Sequence, residues 1–204
     1  MKAAFAQLAM LFAVLFAFVA PVPAMAADDP AIATVQGFYD NLLDSMKGGK
    51  ALGAQGRYAK LRPAVEQAFD VGTMIKFAVG PDWATASPAD QKALTEAFTR
   101  MTTAQYAGNF DSFSGEKFVV DPAVQVRGTD HYVSSKLVTS NQQVVFIYRL
   151  RQFGSSWKII DILLDGSISQ LNVYRSDFAA TMKSGGAAAL VKKINELSDK
   201  ALKQ

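Results

Sequence analysis

The sequence predicts an α+β fold in which a curved antiparallel sheet of about four strands is covered on its concave face by helices. Three observations carry that expectation. Apolar residues recur at three- and four-residue spacing up to about residue 106, at period two from Lys117, and at helical spacing again from Ser169. The period-two runs are joined by short connections at Gly128, Ser140-Asn141 and Gly154-Ser155, which only antiparallel neighbours can use. Blocks of helix, strand and helix, rather than alternating units, gather the helices on one side of the sheet.

At the N-terminus Lys2 precedes an apolar run from Leu8 to Ala20, followed by Pro21, Pro23 and the small-residue site Ala24-Met25-Ala26. Charge, length and cleavage pattern identify a cleavable secretory signal peptide over residues 1–26, and the run falls short of the ~20 apolar residues of a membrane span. Residues 27–204 then form a single domain, large enough for its own core and without a repeat or linker to divide it.

Asp29 is placed to cap the first helix, with Pro30 at its first position. Val35, Phe38, Tyr39, Leu42, Leu43 and Met46 form its apolar stripe, and Gly48-Gly49 ends it. A second helix is expected over 55–69, and a short third one carries Val71, Met74, Ile75, Ala78 and Val79 up to Gly80-Pro81. Ser87, Pro88 and Asp90 make a capping box for a long helix whose apolar side is Leu94, Ala97, Phe98, Met101 and Tyr106. Strands follow near 117–126, 131–139, 142–152 and 157–164.

The two strands around Gly154-Ser155 organise the rest. Val144, Phe146, Tyr148 and Leu150 share one face of the first, and Val145, Ile147, Arg149 and Arg151 the other, so one face is apolar and the other turns basic. In the second, strict alternation groups Trp157, Ile159, Asp161 and Leu163 against Lys158, Ile160, Ile162 and Leu164, two mainly apolar faces expected to be covered. Helices over 169–182 and 187–202, separated by Gly185-Gly186, complete the chain.

Several functions are excluded by composition. The formal charge of +3 drops to +2 once Lys2 is removed, leaving 20 of the 21 basic residues against 18 acidic ones, and the basic residues are scattered. Neither a polyanion groove nor a nucleic-acid platform fits that distribution. Cysteine is absent, so thiol chemistry and disulfides are excluded and the core alone must hold the fold. No hydrolase elbow, zinc-binding helix, dinucleotide loop or phosphate loop occurs, and no metal or cofactor is implied. His131, the only histidine, lies beside Asp130 with no partner to make it catalytic. Asp161, between Ile159 and Leu163, is either a paired structural carboxylate or a general base of raised pKa.

Large apolar side chains are in excess: outside residues 1–26 there remain ten of the 14 Phe, with six Tyr and two Trp. They suit a core or a cavity equally. The runs FDVGTMIKFAVGPDW (Phe69 to Trp83) and SPADQKALTEAF (Ser87 to Phe98), then Tyr106, then WKIIDILLDGSISQLNVYRSDF (Trp157 to Phe178), resemble in order and spacing the MlaC or toluene-tolerance family of periplasmic lipid-binding proteins. Ala84 stands where the members nearest MlaC usually carry Arg, and Gly166-Ser167-Ile168-Ser169 replaces their Gly-Val-Ser. That wording is similar to the hopanoid-associated HpnM branch.

The resemblance implies a non-enzymatic, monomeric carrier that holds a membrane lipid, hopanoid or phospholipid, in an apolar cavity between sheet and helices. It implies passage across the periplasm between an inner-membrane transport complex and an outer-membrane lipoprotein. The expected lipid-binding residues are Phe38, Leu42, Phe69, Met74, Ile75, Val79, Trp83, Phe98, Met101, Tyr106, Phe146, Tyr148, Trp157, Ile159, Ile168 and Leu171. Two other readings stand beside it. One is an enzyme of ketosteroid-isomerase type with Asp161 or Asp70 as base; the other is a ligand-free periplasmic adaptor with a solid core.

Overall fold

The computed structural model describes residues 29–203, so the expected signal peptide lies outside the described residues. Helix α1 (Pro30–Ala68) starts where the sequence places it: the Asp29 carboxylate accepts from the Ala31 N–H at 2.9 Å, and Pro30 occupies the first turn. The two helices expected on either side of Gly48-Gly49 are halves of this one element, broken at Gly49 (φ 47°) and Gly53 (φ 62°), which adopt backbone that other residues avoid. Buried Arg57 clips the break. Its Nη1 donates to the Gly49 carbonyl at the bend at 3.1 Å, and its Nε to the Ala107 carbonyl in the last turn of α3 at 2.8 Å, satisfying two backbone acceptors and tying the bend to α3.

Helix α2 (Val71–Val79) is capped by Asp70, and a 3₁₀ turn (Gly80–Ala84) leads to α3 (Pro88–Asn109). The Ser87 hydroxyl accepts from the Asp90 N–H at 3.1 Å, the first half of the expected capping box, and the Asp90 carboxylate accepts in return from the Ser87 hydroxyl at 2.8 Å in place of the backbone N–H. Helix α4 (Gln170–Ala201) changes course at Gly186 (φ 63°) and packs along α3. At Gly108 a methyl group would sit 2.3 Å from the Ala201 carbonyl oxygen, so the two helices meet there only because that residue has no side chain.

The strands β1 (Lys117–Arg127), β2 (Asp130–Val138), β3 (Gln143–Phe153), β4 (Ser156–Leu164) and the two-residue β5 (Ile168–Ser169) form one antiparallel sheet in chain order, the expected meander with one short strand added. Asp165 (φ 48°) and Gly166 (φ 75°) make the tight turn into β5. Pro122 lies where the β1 register shifts, on an edge strand, the place in a sheet where a missing N–H does least harm.

A second shift corrects the face assignment of β4. Leu150 pairs with Ile159 and Arg149 with Asp161, so Ile160 is a bulge residue and the alternation reverses beyond it. Ile162 and Leu164 join Trp157 and Ile159 toward the helices, while Asp161 and Leu163 turn to the outer face. The helical layer is sewn to the same strand: the Asp70 N–H donates to the Ile159 carbonyl at 2.9 Å and Thr34 Oγ1 to the Trp157 carbonyl at 3.2 Å.

Candidate functional site

Between the sheet and the helices the core is aromatic. Tyr39 stacks on Phe118 at 4.2 Å and meets Tyr148 edge-on at 5.7 Å; Phe38 meets Phe69 at 5.0 Å and Tyr106 at 4.8 Å. The Tyr39 hydroxyl is 2.6 Å from that of Ser135, and burial pushes its pKa up to about 12 despite that bond. Burial likewise holds the Tyr106 and Tyr148 phenols well above their ordinary value. At neutral pH these hydroxyls are uncharged.

This packing opens into a cavity of about 240 Å³ bounded by α2, α3, the start of α4 and the inner sheet face. Met74, Tyr106, Phe110, Phe146, Ile162 and Leu164 supply its apolar wall; Thr102, Gln105, Asn109, Gln170 and Tyr174 supply neutral polar groups. Tyr174 donates to the Gln105 side-chain oxygen at 2.8 Å, tying α4 to α3 beside it. Among the described residues no charged side chain lines it, so the space suits apolar matter with a hydrogen-bonding end and does not select an ion.

Of the sixteen residues expected to bind lipid, three line this space, eight lie in the core that adjoins it and five lie elsewhere. Met74, Tyr106 and Phe146 line it. Phe38, Leu42, Phe69, Ile75, Phe98, Met101, Tyr148 and Ile159 are buried in the core that adjoins it. Val79 borders a cleft between the 3₁₀ turn and α4, and Trp83 packs half-buried against the core. Trp157 lies in a groove beside α1 with its ring 4.0 Å from that of His131, whose Nδ1 is 2.7 Å from the Asp29 carboxylate. Ile168 is exposed on β5, and buried Leu171 borders a cleft on the outer sheet face. Sequence reasoning did not single out Phe110, nor Ile162 and Leu164, which the β4 bulge brings inward; Gln105, Asn109 and Gln170 have no hydrophobic signal at all.

The carboxylates that an enzyme would need are engaged elsewhere. Asp70 accepts from the Thr73 N–H and hydroxyl, both at 2.9 Å, as the cap of α2. Asp161 accepts from the N–H of Ile162 at 2.8 Å, the N–H of Leu171 at 3.2 Å and the Ser169 hydroxyl at 2.6 Å, joining β4 to the start of α4. Neither lines the inner cavity. Among the described residues no group of three or more His, Cys, Asp and Glu is placed to hold a metal, and no helix is long and apolar enough to cross a membrane.

A family model described as "MlaC protein" matches residues 36–196. Among solved structures, the phospholipid-binding protein from Ralstonia solanacearum, determined in complex with a phospholipid, superposes with a TM-score of 0.74 at 23% sequence identity, covering 85% of this chain and 99% of that one. At that identity the likeness is one of fold. No curated protein matches.

Proposed function

This chain belongs to the MlaC family, and from that premise we propose that it is a periplasmic lipid carrier, not an enzyme. It takes up a membrane lipid, passes between an inner-membrane transport complex and an outer-membrane lipoprotein, and works as a monomer exported by its signal peptide. The observation that carries this reading is the uncharged, apolar-walled cavity between sheet and helices, in a fold shared with a protein solved around a phospholipid. A lipid tail costs ~0.8 kcal/mol per CH₂ left in water, so transport needs enclosed apolar surface and no reactive group. At about 240 Å³ the cavity is smaller than the ~300–1,000 Å³ of sites that enclose drug-sized ligands. A lipid therefore needs more room than this space offers, and the buried aromatic layer behind Met74, Tyr106 and Phe146 is the lining a wider cavity would expose.

Solvent extraction and mass spectrometry of protein purified from its native envelope tests this directly. A stoichiometric lipid is expected, and its mass distinguishes phospholipid from the polycyclic hopanoid that Gly166-Ser167-Ile168-Ser169 points to. Leu164→Trp fills the cavity and should abolish that load while melting close to the parent. Met101→Trp, at a fully buried site, should instead cost the ~1–3 kcal/mol of overpacking. Lipid-free protein from repeated preparations, or an undiminished load in Leu164→Trp, refutes the assignment.

A further inference from the structure

A second cleft, of about 400 Å³, lies on the opposite side of the sheet. Arg127 of β1, Tyr132 of β2 and Arg149 and Arg151 of β3 border it, with Thr73 of α2 and Asn172 of α4 across from them. Cross-strand register explains the convergence. Arg127, Asp130 and Arg151 stand in one row across three strands, and Gln125, Tyr132 and Arg149 in the next, so their side chains share the outer face.

Beneath the arginines is a single buried carboxylate, Asp130. Arg149 donates to it from Nε at 2.7 Å and from Nη2; Arg151 donates from Nε at 2.6 Å and from Nη2 at 2.9 Å. The side chain of Asp130 is 5% exposed, whereas those of Arg149 and Arg151 are 35% and 38% exposed, so what faces solvent is guanidinium. Each of the two spends one edge on Asp130 and leaves Nη1 without a partner among the described residues. One bidentate arginine suffices to satisfy one carboxylate. The second is surplus to that need, and so is Arg127, which lies 4.8 Å from the Tyr132 ring centroid and, among the described residues, bonds only the neutral Gln125 side chain.

Asp161 also borders the cleft, but its carboxylate is buried and both oxygens are held by the Ser169 hydroxyl and two N–H groups. Three guanidiniums against these two carboxylates leave a charge of +1, with the carboxylates turned inward and the donors outward. The Asn172 side-chain amide makes no bond with the described residues and adds a neutral donor at the rim.

We infer that this outer cleft is an anion site, built by Arg127, Arg149 and Arg151 over Asp130, for a phosphate-bearing group of the mono- or diester kind. Guanidinium forks already oriented by a buried carboxylate match phosphate oxygens at little ordering cost. The same chemistry is offered by a soluble phosphate ester and by a lipid headgroup at a membrane surface.

Calorimetric titration of the full mature chain with glycerol 3-phosphate, and flotation with vesicles of phosphatidylcholine alone or mixed with phosphatidylglycerol, separates the two sources. Arg127→Gln, which leaves Asp130 its partners, is expected to weaken whichever binding occurs by roughly tenfold or more; Arg127→Lys should recover only part of it, since charge without the planar fork is half the recognition. Saturable, variant-sensitive binding of glycerol 3-phosphate without vesicle binding assigns a soluble ester. Variant-sensitive binding to phosphatidylglycerol vesicles assigns a lipid phosphate. Cavity lipid, measured on the same samples, should not change in either variant. Absence of binding in both arms, or binding indifferent to Arg127→Gln, overturns the site.

Discussion

The two faces of the sheet solve the problem of burying polar groups in opposite ways. Where the helices meet the inner sheet face the polar groups are neutral, among them the phenols of Tyr39 and Tyr148, kept uncharged by burial, with Tyr39 joined to the neutral Ser135 hydroxyl. On the outer side the polar groups are ions. Burial alone would lift the Asp130 carboxyl, but the guanidiniums of Arg151 and Arg149 more than offset it and hold it below its ordinary value. An uncharged cavity lining tolerates an apolar guest, whereas an ion-bearing surface positions a charged one. The difference also makes the two faces fail at opposite ends of the pH scale.

The largest effect expected is on the outer face. Arg149→Gln combined with Arg151→Gln strands the Asp130 carboxylate in a buried position, which should cost ~3–5 kcal/mol in urea unfolding at neutral pH. The acid slope should change sign as well. In the parent the carboxyl's lowered pKa gives stability that is present above its unfolded value of 3.8 and is lost as pH falls through the folded value. Without its arginines the same carboxyl is held up by burial, so acidification should narrow the gap between variant and parent. A loss under ~1 kcal/mol with an unchanged acid slope would mean that the arginine pair does not hold Asp130.

The inner face should fail at alkaline pH. For a phenol raised from 10.0 to about 12, stability is complete below pH 10 and is withdrawn as pH climbs toward the folded value. At ~1.4 kcal/mol per pH unit, Tyr39 alone should withdraw about 2–3 kcal/mol. Tyr39→Phe removes that alkaline term and, at neutral pH, should cost only ~1 kcal/mol for the bond to Ser135, whose hydroxyl retains the Phe146 carbonyl at 3.4 Å. Unfolding curves at neutral and alkaline pH on parent and variant measure both quantities. An alkaline loss of equal size in Tyr39→Phe would place the sensitivity elsewhere.

The contrast between the faces also marks where the sequence was legible. Period two located β1 to β4 within a residue or two, and Asp29, Ser87 and Gly154 marked turns and caps by chemistry that is local. The bulge at Ile160 was not legible, because a one-residue slip leaves no trace in a run of Ile and Leu that is apolar on both sides. Its result is large: it carries Asp161 out of the interior and brings Ile162 and Leu164 in. Arg149 and Arg151 were visible as a basic stripe, yet the carboxylate that organises them is 19 and 21 residues away in sequence and meets them only through β2–β3 pairing. The neutral polar rim of the cavity was silent for a similar reason: Gln105, Asn109 and Gln170 become neighbours only when α3 meets α4.

The smallest effect expected is at the seam between the faces, in Asp161→Asn. The amide keeps the shape of the carboxylate, and its oxygen can still accept from the N–H groups of Ile162 and Leu171. Its nitrogen would face Ser169 Oγ, now 2.6 Å from the carboxylate, and can donate to that oxygen in place of accepting from it. What disappears is the charge assistance in three hydrogen bonds and the favourable placement of a negative charge at the start of α4, together ~1 kcal/mol. Asp161→Ala also leaves the Leu171 N–H without an acceptor in a buried position, so it should cost ~1–3 kcal/mol. If the protein is a carrier, lipid transfer between liposome populations should be unchanged in Asp161→Asn, since the carboxylate does not border the inner cavity. Were it instead a general base, the same variant would fold normally and lose a defined conversion by ~10²–10⁴. Transfer rate, melting temperature and turnover measured on one preparation therefore decide between a carboxylate that joins strand to helix and one that moves a proton.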